Sequence, residues 1–177
     1  MAKNPMRLLV IFLRIKNVDG FTDTLNKAKN TSELKPVSEI TPTDKCVIII
    51  DQELPLGFIA NTAAILSLSI GKRHPEMIGN DIPDHAGDIH QGITVLPIPI
   101  LKGTAASLQI LREALKPHEP ELTVIDLISA TRTTQNYTEY SHEMQSTSLD
   151  ELVYAGIALY GSKKLVNKFT GNLGLLR

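Results

Sequence analysis

Five side chains able to ligate metals or move protons crowd one short stretch: Asp81, Asp84, His85, Asp88 and His90. Carboxylates and neutral imidazoles bind divalent cations, and both serve as general bases. Their spacing matches no ligand pattern such as His-Glu-x-x-His. Aspartate and glycine together are also ordinary turn chemistry. The stretch therefore reads either as a solvated loop, with Asp84 and His90 in turn hydrogen bonds, or as part of a site. No metal is expected. A second candidate is Gly57-Phe58-Ile59-Ala60-Asn61-Thr62, at an expected helix start. Unpaired N–H groups and the helix dipole can hold an anion there. One glycine without a following lysine is not a phosphate loop, and Asn61 and Thr62 can equally be capped polar residues of a buried helix. A third candidate is the basic end, where Lys163, Lys164, Lys168 and Arg177 follow Gly161 with no acidic residue after Glu151. Such a patch suits a phosphate backbone, although lysine near a helix C-terminus is favourable for dipole reasons alone.

Other chemistries have less to build on. Cys46 heads an apolar run, where cysteine acts as a small hydrophobe. No Gly-x-Ser-x-Gly elbow is present for a serine nucleophile. A single cysteine permits no intrachain disulfide, which fits a reducing, cytoplasmic setting. The 177 residues, 42% hydrophobic and 21% charged, are enough for a real core. A formal net charge of −1 gives no global field toward nucleic acid or membrane, so such binding needs a local patch. The apolar run Leu8–Leu13, between Arg7 and Arg14, is far shorter than the roughly 20 residues of a spanning helix. No small-residue cleavage site follows it, so neither a membrane span nor a targeting segment is expected.

The elements that must position these residues follow from periodicity. Residues 1–44 read as an N-terminal extension and linker. Within them Leu8–Ile15 is a strand or a helix start, Val18, Phe21, Leu25 and Ala28 fall at helical spacing, and a polar connector runs from Thr31 to Asp44. Residues 45–177 read as one α/β domain. Cys46–Ile50 has no polar face and suits a strand covered on both sides. Phe58–Ile70 is helical, and its Ala60, Ala63 and Ala64 would let it lie close to the sheet. Residues 76–91 form a loop, and 92–100 an edge strand interrupted by Pro97 and Pro99. Thr104–Lys116 is a helix capped by Thr104, with Leu108, Leu111 and Leu115 as its buried stripe. Leu122–Ile128 is a second buried strand, and 130–148 a long loop with a short helix. Leu152–Tyr160 alternates, with Val153, Ala155, Ile157 and Leu159 on one face and Tyr154, Gly156, Ala158 and Tyr160 on the other. Gly161-Ser162 turns into a short helix, Lys163–Thr170, closed by Gly171. This alternation predicts a three-layer α/β fold with a mixed, mostly parallel sheet and helices on both faces.

The closing segment, Gly161-Ser162 and then Leu165-Val166-Asn167-Lys168-Phe169-Thr170-Gly171-Asn172-Leu173-Gly174-Leu175, resembles the end of type II peptidyl-tRNA hydrolases. Lys45–Ile50, Leu54, Gly57 and the alanine-bearing helix look like that family's first strand and helix. A closer resemblance is to the bacterial domain of unknown function two thousand, which is itself similar to these hydrolases. It is carried by Lys45–Asp51, Leu54-Pro55-Leu56-Gly57, Asn61, the Asp84–Gly92 loop with Leu96-Pro97-Ile98-Pro99, and Tyr160-Gly161. The resemblance implies a peptidyl-tRNA hydrolase II-like fold. It does not carry the activity over. Where the hydrolases place a catalytic lysine after the helix-opening glycine, this chain has Phe58, which cannot donate a hydrogen bond. Their Asp-Ala-Gly-x-Thr-Gln motif finds only Asp126 and, after a gap, Ala130–Gln135.

The expected function is a binding module without cofactor, for a small molecule or a tRNA or phosphate ligand, and a homodimer is expected. Its ligand-binding candidates are Gly57, Asn61, Thr62, Gly161, Lys163 and Lys164. The alternative is a hydrolase with a rearranged site, whose catalytic candidates are Asp84, His90 and Asp126. Those three must then converge on one cleft.

Overall fold

Cys46–Ile50 does become a strand covered on both sides. The computed structural model describes residues 43–177; the expectations for residues 1–42 lie outside the described residues. Strand β1 runs Asp44–Asp51, and its residues from Cys46 onward are buried. Val47 and Ile49 enter one core, while Cys46, Ile48 and Ile50 enter another on the opposite face. Each aliphatic side chain so buried contributes about 1.5–3 kcal/mol. Helix α1 (Leu56–Arg73) covers the second face. A short two-stranded ladder follows, β2 (Ile82–Pro83) with β3 (Ile89–His90). The edge strand β4 is Ile100–Gly103. It leads into α2 (Ala105–Leu115), then β5 (Leu122–Ile128), α3 (Tyr137–Ser146), β6 (Tyr154–Ser162) and α4 (Lys163–Thr170). Helices α2 and α4 supply Leu108, Leu115 and Val166 to the first core.

The sheet is mixed, in the order β4-β1-β6-β5, and it corrects the expectation of mostly parallel strands. Of its neighbouring pairs, β1–β4 is parallel, and β6 lies antiparallel between β1 and β5. A strand–helix–strand sequence makes a parallel pair only when the crossover returns the chain to the same end. The link after β5 does not, so β6 returns in the opposite sense.

Three local differences have clear causes. Strand β4 begins only at Ile100, because Pro97 and Pro99 bring no N–H to a ladder. The carbonyl of Pro99 still accepts from Ile48 N at 3.1 Å. Residues 174–176 cover the far side of β4, with Lys102 N donating to Gly174 O and Leu176 N to Ile100 O, both at 2.9 Å. This edge is therefore paired rather than open. In β6 the register slips between Leu127 and Ile128, whose partners are Gly156 and Tyr154. Ala155 is the extra residue of a bulge, which turns side chains before it to the other face. Tyr154 thus joins Ile157 and Leu159 in the α2-side core, while Ala155 joins Ala158 on the α1 side. Finally, Ala60 and Ala64 are exposed, and the buried residues of α1 are Thr62, Leu66 and Ile70. The small residues that admit α1 sit on β6, at Gly156 and Ala158.

Candidate functional site

Strands β1, β4 and β5 point the same way, so Asp51, Gly103 and Ile128 end at one edge of the sheet. Ligands of open α/β sheets gather at such carboxyl ends. Two segments meet there. Helix α1 opens five residues after β1 ends, at Leu56 behind Pro55. A single 3-10 turn, Ser129–Arg132, follows β5 directly. Thr131 and Thr134 tighten that turn by donating to Ile128 O at 3.2 Å and Ala130 O at 3.0 Å. Asn136 then caps α3 by accepting from Glu139 N at 3.0 Å, and Glu139 accepts from Gln135 N at 2.8 Å.

Between these segments lies a cavity of about 290 Å³. Ile65, Leu127, Tyr137 and Tyr140 form its apolar walls, and Thr131, Thr134, Gln135 and Asn136 its polar ones. Burial pushes the Tyr140 phenol up, so it stays protonated at neutral pH. At the start of α1 the Arg132 guanidinium lies over the Phe58 ring, 4.5 Å from its centroid. Phe58, Asn61 and Ile65 share one helix face, with Asn61 falling between the residue of that stack and the one that lines the cavity. Among the described residues, the side chains of Asn61, Arg132 and Gln135 have no hydrogen-bond or ion-pair partner within the protein. Phe58 itself carries no charge, but its ring holds a cation contributed by the segment after β5.

The ligand-binding candidates separate into three places. Gly57 and Asn61 are exposed at this carboxyl edge. Thr62 is only 3% exposed, in the core. Gly161, Lys163 and Lys164 stand at the other end of the sheet, where Gly161 pairs with Lys45 and Leu122. A second cavity there, about 320 Å³, is lined by Asp44, Lys45, Leu96, Pro97, Pro99 and Lys163. Lys45 Nζ donates to Asn167 Oδ1 at 2.7 Å.

The catalytic candidates also divide. Asp84 and His90 are together, with His90 Nε2 3.3 Å from Asp84 Oδ2. Asp84 Oδ1 accepts from Ala86 N at 2.9 Å and Asp88 N at 3.0 Å. The His90 contact, with these N–H groups, holds the Asp84 carboxyl below the usual carboxylate range. Asp81 accepts from Gly92 N at 2.9 Å, so the acidic loop is tied by its own turns. It leaves from beyond the C-terminal end of α1, whose 18 residues span about 27 Å from the cleft end. Asp126 is not with them. It accepts from Arg112 Nε of α2, on the opposite face from α1, and Arg112 also binds Glu119. No group of three or more His, Cys, Asp or Glu side chains placed to hold a metal occurs among the described residues.

Thr131, Arg132, Thr134 and Gln135 enter the sequence reading only within Ala130–Gln135, the counterpart of the hydrolase motif, and Tyr137 and Tyr140 only as part of a loop; none is among its site candidates. The signal for them was a polar run, Thr131–Gln135, directly after the carboxyl end of a buried strand. Cys46 is fully buried, and burial pushes its thiol up to about 11.

The fold and cleft define a three-layer α/β protein with a mixed four-stranded sheet and a small ligand-sized cavity at its carboxyl edge. The chain belongs to the DUF2000 family of proteins of unknown function, whose model matches residues 44–177. A solved structure of a protein of unknown function from Agrobacterium tumefaciens strain C58 is similar at a TM-score of 0.69 and 22% identity, covering 75% of this chain and 97% of that one. At that identity the likeness speaks for the fold alone. No curated protein matches the chain. No helix among the described residues is long and apolar enough to cross a membrane.

Proposed function

We propose that this protein is a small-molecule-binding module on a peptidyl-tRNA hydrolase II-like fold, with its site in the cleft between α1 and residues 127–140. The observation that carries this reading is the 290 Å³ cavity, lined by Ile65, Leu127, Tyr137 and Tyr140 together with the polar Thr131, Thr134, Gln135 and Asn136. Small-ligand sites have this composition: mostly apolar lining, with a few placed donors and acceptors. Asn61 and Gln135 offer both, and Arg132 offers donors only.

The other readings draw less support. A hydrolase using Asp84, His90 and Asp126 requires convergence, and Asp126 is engaged by Arg112 on the face away from α1. A phosphate or RNA ligand at the basic end would meet Asp44 in the same cavity as Lys45 and Lys163.

A methyl-labelled fragment screen by NMR tests the proposal. Fragment hits are expected to shift Ile65 and Leu127, and Thr134→Phe is expected to abolish those shifts by filling the cavity. Hits that gather instead around Lys45 and Lys163 would overturn the assignment. Turnover of peptidyl-tRNA by the purified chain would replace the binding reading with the hydrolase one.

A further inference from the structure

Four of the cavity's lining residues are apolar or aromatic and four polar but uncharged, and the residue after its Thr131 is a cation. Arg132 crosses from the segment after β5 so that its Cζ lies over the Phe58 ring of α1, 4.5 Å from the centroid. A guanidinium over a ring is attracted by the ring's quadrupole and still has N–H donors for a further partner. Among the described residues no carboxylate pairs with Arg132, and no acidic side chain lines the cavity. Of the acids near the carboxyl ends of β1 and β5, Glu139 accepts from Gln135 N and Asn136 Nδ2 at 2.8 Å each, Asp126 from Arg112 and Asp51 from Glu53 N at 3.1 Å, while Glu53 lines a different cavity with Gln52, Leu56 and Arg177. Gln135 adds an amide to the cavity lining, and Asn61 another on the helix face shared by Phe58 and Ile65. A pinned cation with no carboxylate partner among the described residues, beside uncharged donors, suits an anion.

Geometry also sets a length. Seven residues separate Phe58 from Ile65, which is about 10 Å along the helix axis. A volume of 290 Å³ holds roughly a dozen non-hydrogen atoms. A ring between Ile65, Leu127 and Tyr140 can therefore reach Arg132 only through a short linker.

We propose that the ligand is a small amphipathic anion: a flat apolar ring seated at Ile65, Leu127 and Tyr140, joined by a two- or three-atom linker to a carboxylate or phosphate held by Arg132. This rests on the cleft being the binding site. Phe58 is a positioning residue, which fixes where the guanidinium presents its donors.

Titration of the full chain with 3-phenylpropionate, 2-phenylethyl phosphate and neutral 3-phenylpropanamide, followed by methyl NMR, tests it. At least one anion should bind about tenfold or more tightly than the amide. Whichever anion binds better identifies the headgroup. Arg132→Gln should erase the preference while the amide still binds, and methyl signals remote from the cleft report that the variant is folded. Phe58→Leu, which leaves Arg132 unpinned, should lose part of the preference. Equal binding of acid, phosphate and amide, all shifting Ile65 and Leu127, would overturn the anion inference and leave the cleft reading standing. If none of the three probes shifts those methyls, both fall.

Discussion

Thr62 and Gly156 meet where α1 crosses β6, so closely that a Cβ built on Gly156 would lie 2.8 Å from Thr62 Cγ2. The same Cβ would lie 3.0 Å from Ile49 O and 3.1 Å from Leu66 Cδ1. This contact sets the depth at which α1 sits on the sheet, and therefore where Phe58 and Asn61 stand above its edge.

Gly156→Ala should destabilise the domain by about 1–3 kcal/mol, the usual cost of overpacking a close-packed core. Thr62→Ser removes the nearest obstructing methyl. In the double variant the two losses should sum to less than their separate values, as residues in contact require. Urea denaturation of the four proteins checks this, and strict additivity would mean that the Thr62 methyl is not what Gly156 accommodates.

Arg112 and Asp126 form a partly buried pair, with side chains 18% and 20% exposed. Burial opposes the Arg112 charge, but Asp126 and then Glu119 more than restore it, raising its pKa above the ordinary value. Asp126→Asn should cost about 1–3 kcal/mol, since it weakens the partner of a guanidinium that stays in place. Replacing both with Arg112→Met and Asp126→Leu should recover much of that loss, because an apolar pair leaves no buried charge behind. If Asp126→Asn proves neutral in thermal denaturation, the pair is not structural and Asp126 returns as a candidate for chemistry.

Alkaline pH should lower the stability of the domain over two overlapping windows. Burial raises the Cys46 thiol from 9.0 to about 11. Burial, and then the neighbouring Asp44 carboxylate, raise the Tyr160 phenol from 10.0 to about 12. Both groups ionise more readily in the unfolded chain, which therefore binds fewer protons at high pH, and stability falls as pH rises. The thiol contributes between pH 9.0 and about 11, the phenol between pH 10.0 and about 12. Cys46→Ala should flatten the lower part of a stability–pH curve and Tyr160→Phe the upper part. Native Cys46 should also resist alkylation at neutral pH until the chain unfolds.

The resemblance to the domain of unknown function two thousand identified the family from the sequence, and periodicity placed most of the framework. Cys46–Ile50 is legible as a strand covered on both sides because its β-branched run has no polar face, and Leu122–Ile128 as a strand despite Thr123 and Asp126, although only Leu122, Leu127 and Ile128 of it are buried. Thr104 is legible as a cap because its hydroxyl three residues before Ser107 can close the helix start, and it accepts from Ser107 N at 3.2 Å. Tyr154 was not legible, because a bulge at Ala155 shifts side-chain parity without changing residue type. Strand direction was not legible either, since the link after β5 reads the same whether it returns the next strand parallel or antiparallel.

For the candidate site the division is similar. Composition and spacing alone determine that Gly57 and Asn61 fall at a helix start beyond a buried strand, and that Phe58 brings no charge of its own. Only the tertiary structure decides that Arg132, distant in sequence, lies over Phe58. It also decides that Thr62 packs in the core while Asn61, one residue earlier, stays in solvent, and that Gly161, Lys163 and Lys164 stand at the other end of the sheet. The physical reason is that helix period and strand parity are local properties of the chain. Which edge a loop returns to, and which cation rests on which ring, follow from how the helices and strands settle against one shared sheet.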